Sequence, residues 1–309
     1  MAEAPRIAVA TFGRVYDMTP QQDALTLDEL AAALTRFQLK TQLGQRIDKE
    51  LSRFRRGEGP WIDKLKRFSP DEVEHQIKRE AKTDLRIWTP ALFAPGSRRE
   101  SEGLVHVSAL VFDIDDRLRT DDVRDALRAF WHVGHSTWSH TPERPKFRVC
   151  IPFAQAIDPE DFLVVWDHGD QLIGGGADRT GRFLARGMAL PAVPRRDSPR
   201  VAWVHIAPLF DPVGEGLARP SLVPPPEPTG LSFMRPDASE AYVSAEVATD
   251  AVEDDPWSGG ATLPTRPPKA SAASAPSTTA SARSPAMDEV LARLAAIERR
   301  LDALERGRS

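Results

Sequence analysis

The chain reads as an α+β protein whose core lies in residues 1–210. Apolar runs of strand length alternate with segments of helical period, and their irregular spacing favours a compact sheet-and-helix unit over a repeated βα barrel. After residue 210 Pro, Ser, Ala and Gly dominate, leaving too little apolar surface to offset the entropy of ordering. Of 309 residues, roughly 200 are therefore expected in one folded unit.

RIAVATF, residues 6–12, has the apolar content of a first strand. TLDELAAALTRF follows with helical spacing, and Thr26 with Glu29 three places on forms a capping box. From Lys40 to Arg67 the chain carries nine Lys or Arg against four acids, with Phe54 and Trp61 interleaved. This segment reads as helix or loop, and it is either a solvated helical face or a track for a phosphate backbone. RIWTPALFAPGSRRESEG is a strand end and a loop leading into the strand LVHVSALVFDID. TDDVRDALRAF is an amphipathic helix opened by Thr120. HVGHSTWSH and PKFRVCIPF read as two further strands, and DPEDFLVVWDHGDQLIGG as a helix after Asp158, with Pro159 in its first turn. A strand pair around RFLARGMALP and RVAWVHIA closes the folded part.

Residues 211–286 are expected to be a disordered linker. Within it the stretch from Asp237 to Trp257 has seven acids and no base, which suits a solubilising segment or the ligand of a basic groove on a partner. Residues 287–307 then read as a short coiled-coil helix. Met287, Val290, Leu294, Ile297, Leu301 and Leu304 are spaced as an a/d seam, so 287–304 is expected to self-associate or dock on a partner, the alternative being a tail helix folded back on the core.

Composition excludes several classes. The net charge of −4 neither demands nor forbids a nucleic-acid partner. A single cysteine, Cys150 in an apolar run, rules out a disulfide framework and a cysteine zinc cluster. There is no secretory leader pattern and no run of about 18 apolar residues, so a soluble cytoplasmic protein without a membrane partner is expected.

The chemistry concentrates in LVFDID, residues 110–115. A strand's period of two places Asp113 and Asp115 on one face, with Ile114 on the other. Two neighbouring carboxylates repel unless a cation or proton holds them, and hard oxygen donors suit Mg²⁺ or Mn²⁺.

LVFDIDD is similar to the first motif of haloacid dehalogenase-like phosphatases, in which the first Asp is a nucleophile and the second a general acid. That family places a small Thr or Val two positions after the second Asp, where this chain has Arg117. Thr137 and Lys146 would have to fill its remaining roles.

A second resemblance covers more of the chain. LVFDID, then WSH, then Asp178 in GGADRTGRFLARGMALP resemble the three motifs of the archaeo-eukaryotic primase, or primase-polymerase, superfamily: an hhhDhD strand, a small-x-His motif and a later acid. SHTPERPKFRV, the lead-in IWTPALF, and Arg186 with Pro191 after Asp178 resemble the form found in bacteriophage and plasmid replication proteins. The resemblance spans residues 5–210, and its specific part is 87–191. The GDQLIGGGAD stretch is Gly-rich for a buried strand, which leaves Asp170 and Asp167 as rivals to Asp178.

The resemblance implies a primase-polymerase catalytic core with an RRM-like sheet. It implies a two-metal site of Asp113, Asp115 and Asp178, with nucleotide binding by His140, Arg148, Lys146 and Arg186 and with His140 as a hydrogen-bond donor. Nucleoside triphosphates and a single-stranded DNA template would be the ligands. Two Mg²⁺ or Mn²⁺ ions would serve nucleotidyl transfer. Arg179, Arg182, Arg195 and Arg196, with Arg186 and Arg200, form a basic run suited to DNA phosphates. The alternatives are an Asp pair serving as a turn device, a structural His140, Arg148 and Arg186 paired with core acids, and a solvated basic surface. His106, His132 and His135 have no metal spacing and read as structural. The absence of G-x-x-x-x-G-K-[ST] means that any helicase would be a separate chain. A non-catalytic DNA-binding replication-initiation protein on the same fold is the competing expectation.

Overall fold

A computed structural model describes residues 5–115, 118–228, 241–245 and 247–251. All belong to one compact unit, residues 1–256. It is a mixed α+β structure with three sheets and few helices. The first part runs β1 (Ile7–Phe12), β2 (Gln21–Leu25), α1 (Leu27–Thr35), β3 (Arg36–Leu39), α2 (Thr41–Arg55), α3 (Pro70–Ala81), β4 (Ile87–Thr89) and β5 (Ala91–Phe93). It continues with β6 (Leu104–Asp115), α4 (Thr120–Ala126), β7 (His132–Ser136), β8 (Lys146–Ile157) and α5 (Phe162–Leu172). The remaining strands are β9 (Met188–Ala189), β10 (Ala192–Val193), β11 (Ala202–Ile206), β12 (Tyr242–Ser244) and β13 (Val247–Ala251).

The central sheet has the order β13-β11-β7-β8-β6-β5, antiparallel except for the β13/β11 pair. Its two faces are packed differently. Leu110, Phe112 and Ile114 of β6 join Phe147 and Val149 of β8 against α4 and α5. Gly169 makes this contact close, because a Cβ there would meet Leu110 and Phe112 at 2.7 and 2.8 Å. On the other face Ala109, Val111, Val133 and Cys150 pack against α1 and the second sheet, β2-β1-β4-β9. The Ser108 hydroxyl ties β6 to β1 by donating to the Ala8 carbonyl at 2.6 Å.

Several expectations are corrected. The helix opened by Thr26, whose capping box with Glu29 forms, stops at Thr35; Arg36–Leu39 instead pairs with β10 and β12, a ladder that outweighs local helical preference. Thr120 is the first residue of α4, and Arg119 holds the cap position without a side-chain bond. The strands in RFLARGMALP and RVAWVHIA do not pair with each other: β9 joins β4, and β11 joins β7.

The folded part also passes residue 210. Phe210 bridges Phe153, Pro220 bridges Ile157, and Arg219 pairs with Glu160 and Asp161. β12 and β13 then add strands within the stretch read as linker. Arg117, most of the linker and the heptad of 287–304 lie outside the described residues. Among the described residues no helix is long and apolar enough to cross a membrane.

Candidate functional site

β6 and β8 are antiparallel and in register over Asp113↔Arg148 and Asp115↔Lys146. Directly opposed residues share a face, so each acid meets a cation. Arg148 Nη2 donates to Asp113 Oδ2 at 2.8 Å, and Lys146 Nζ lies 3.1 Å from Asp115 Oδ1. The two pairs differ in solvation. The Asp113 and Arg148 side chains retain 25% and 14% of their exposure, whereas Asp115 retains 52%, so the first pair is the less screened. A second bond from Arg148 Nη1 to the Ala189 carbonyl, 2.7 Å, anchors the guanidinium on β9. His135 of β7 extends the row on the far side of Arg148.

The loop between β7 and β8 adds His140. Its Nδ1 accepts from the Lys146 main-chain N–H at 3.2 Å, which in the neutral ring leaves the proton on Nε2. Burial lowers its pKa, so the neutral donor form is favoured. Trp138 of the same loop packs against the core of the α2–α3 hairpin.

Sequence reasoning missed Lys82. It follows α3, whose start is fixed by a second capping box between Ser69 and Glu72 with Pro70 in the first turn. Lys82 Nζ donates to Ser139 Oγ at 2.6 Å. Burial pushes its pKa down to about 8, helped by the charges of Arg148 and Lys146 and opposed by Asp115 and Asp113. The capping box was legible as a helix start; the meeting of residues 57 positions apart had no local signal.

Asp178, Asp170 and Asp167 are placed differently. The main-chain N–H of Asp178 donates to the Asp113 carbonyl at 2.8 Å, bringing it to the edge of β6. Gly174 and Gly175, both at positive φ, allow the sharp turn from α5 that makes this possible. The Asp178 carboxylate accepts from Thr180 N and Oγ1, at 2.9 and 2.7 Å. Asp167 instead pairs with Arg182 at 2.8 Å, and Asp170 accepts from Ala177 N–H; both sit on α5, which packs on the opposite face of the sheet.

The basic run does not act as one surface. Arg182 is held by Asp167, Arg195 by Asp48, and Arg200 by the carbonyls of Arg196, Ser198 and Ser244. Arg179, Arg186 and Arg196 are exposed and make no ion pair among the described residues. His106, His132 and His135 are buried, each with Nδ1 within hydrogen-bond distance of a main-chain carbonyl.

The donor chemistry of Asp113 and Asp115 fits a hard divalent cation, and Arg148 and Lys146 stand where its charge would act. Among the described residues no three His, Cys, Asp or Glu side chains form a metal-holding group. Asp178 reaches the pair through its main chain. Comparison with family models, curated proteins and solved structures finds no match to this chain.

Proposed function

We propose that the chain is a nucleotidyltransferase of primase-polymerase type, making or extending primers on single-stranded DNA in phage-type or mobile-element replication. The opposed row of Asp113–Arg148 and Asp115–Lys146, with the His140 Nε2–H beside it, carries this reading. It combines carboxylates for cations with cations and a neutral donor for a polyphosphate. The associated fold is a primase-polymerase core with an RRM-like sheet, the central antiparallel sheet bearing the acids on one face and α4 and α5 on the other.

Asp113 and Asp115, with Asp178 as third ligand, would hold Mg²⁺ or Mn²⁺. Bound metal would supply the positive charge that activates a 3′-hydroxyl and stabilises the departing pyrophosphate. The residues of the chain do the rest. With the carboxylates holding a cation, Arg148 and Lys146, which now pair with Asp113 and Asp115, would have their donors free for phosphate oxygens, Arg148 as a planar fork and Lys146 as a point charge. His140 donates from Nε2 without adding charge. Arg186 on its exposed turn, with Arg179 and Arg196, supplies further phosphate contacts to nucleotide or template, whereas Arg182 and Arg195 would first have to leave their acids. A helicase would be a separate cytoplasmic partner, and self-association would run through 287–304.

One observation favours a second reading, a DNA-binding replication-initiation protein without catalysis: the Asp178 carboxylate is engaged by Thr180. Primer synthesis on a single-stranded template with labelled nucleotides and Mg²⁺ or Mn²⁺ separates the two. Wild type is expected to make product, Asp113→Ala and Asp115→Ala none, and His140→Ala about 10²–10³-fold less. Equal product from all four proteins would refute the catalytic assignment. No product from wild type with DNA binding intact would select the second reading. Hydrolysis of an aryl phosphate would instead point to the phosphatase chemistry.

A further inference from the structure

We propose that Lys82 is a polyphosphate ligand, carried by the end of α3 onto the loop of Ser139 and His140 that flanks the Asp113–Arg148 row, to bind the phosphate tail of the incoming nucleotide. The inference rests on the nucleotidyl-transfer reading above for the identity of the ligand, and on charge and placement for its chemistry.

Placement comes first. α2 and α3 form a hairpin whose apolar residues Leu43, Ile47, Leu51, Val73 and Ile77 build their own small core, and Trp138 packs against it. The hairpin is thereby fixed to the loop that holds Ser139 and His140. The Lys82 Nζ bond to Ser139 Oγ completes the attachment at the residue next to His140. A lysine at a helix end ordinarily extends its ammonium to water, and Lys78 and Arg79 of the same helix are exposed, Lys78 with Glu74 3.9 Å away. Lys82 turns inward instead, towards two other cations.

Charge supplies the second argument. Three cations, Lys82, Arg148 and Lys146, face two carboxylates, Asp113 and Asp115. Arg148 and Lys146 each have an acid directly opposite. Lys82 has a neutral hydroxyl as its partner. A half-buried ammonium crowded by like charge is unfavourable by itself, and an arriving anion removes that penalty. Lys82 is therefore available to phosphate oxygens without breaking an ion pair, whereas its two neighbours must first leave their acids. A divalent cation held by the carboxylates would make the surroundings still more positive, which would suit the several negative charges of a triphosphate tail and not a single carboxylate. The competing account, a strut that fastens α3 to the loop, requires the hydrogen bond and not the charge.

The test separates charge from strut. The full chain is titrated calorimetrically with metal-free sodium tripolyphosphate, as wild type, Lys82→Gln, Lys82→Arg and Lys78→Met, with unfolding midpoints recorded for each. Lys82→Gln, which keeps a donor for Ser139, is expected to weaken binding about tenfold or more, Lys82→Arg to restore it to within about threefold, and the surface control Lys78→Met to match wild type. In nucleotide incorporation the Gln variant should raise KM by a similar factor with kcat little changed. Equal tripolyphosphate affinity for wild type and a folded Lys82→Gln overturns the Lys82 assignment and leaves the transfer reading standing if incorporation persists. No tripolyphosphate binding by wild type also overturns it. Lys82-dependent binding without any incorporation upholds the ligand role and overturns nucleotidyl transfer.

Discussion

The two faces of β6 are cut from one strand, yet they diverge after Val111. On the side of α4 and α5 the strand stays apolar to its end, through Leu110, Phe112 and Ile114, all fully buried. On the other side Ala109 and Val111 give way to Asp113 and Asp115, opposed by Arg148 and Lys146. The apolar face supplies stability without chemistry. The charged end costs solvation and like-charge repulsion, and it survives because the opposite face of the same strand holds it rigid.

The largest effect should come from the apolar face. Phe112 lies with its ring centroid 5.6 Å from that of Trp166 and touches the space left by Gly169. Phe112→Ala is expected to cost about 3–5 kcal/mol of unfolding free energy in urea titration, by lost transfer energy plus a cavity. It would also loosen Asp113 next door. If stability were unchanged, the division between a supporting face and a working face would fail.

Acid comes next, and it acts on both faces at once. His132 lies on the apolar side, stacked on His205 at 5.0 Å, while His135 lies opposite Arg148 with its edge near Phe37. Burial pushes both down to about 4, helped at His132 by His205 and Arg124 and at His135 by Arg148. A histidine whose folded value is depressed takes its proton more readily in the unfolded chain. Stability is therefore intact above about 6.5 and declines as pH falls towards 4. Urea titrations at pH 7 and pH 5 should differ by on the order of 2 kcal/mol for each histidine, and equal values would refute the assignment.

How far the site could be read from sequence follows from the range of its interactions. The Asp113/Asp115 face needed only the strand period, and β6 runs as expected through Asp115. Arg148 and Lys146 were named as candidates two positions apart, but their pairing with the acids depends on the β6/β8 register, which no local pattern encodes. The capping boxes at Thr26 and Ser69 were both present in the sequence as S/T-x-x-E. The Ser69 box went unread, and the end of α1 was misread because β3 exists through its partners β10 and β12. The expected chain break at 210 was a compositional inference, and it missed Arg219 and Pro220, whose contacts are with residues about 60 positions earlier. Lys82 was illegible for the same reason: nothing near it in the chain marks a lysine that turns inward.

The smallest expected effect has the opposite sign and sharpens the contrast most. If Lys82 is kept for an anion, the free protein bears a standing cost from a half-buried ammonium beside Arg148 and Lys146. Removing the charge with Lys82→Met should then stabilise the anion-free protein by on the order of 1 kcal/mol, a rise of about 2–4 °C in Tm, where an ordinary salt-bridged lysine would give a loss. The pH dependence follows from the direction of the shift. The folded value, about 8, lies below the ordinary 10.5, so the cost is fully present below pH 8 and fades as pH rises towards 10.5. The advantage of the Met variant should shrink over that window, and added tripolyphosphate at pH 7 should reverse it by stabilising wild type more. A Met variant less stable than wild type at pH 7 would mean that the bond to Ser139 outweighs the repulsion, and that Lys82 is a strut between α3 and the loop and not a cation kept for an anion.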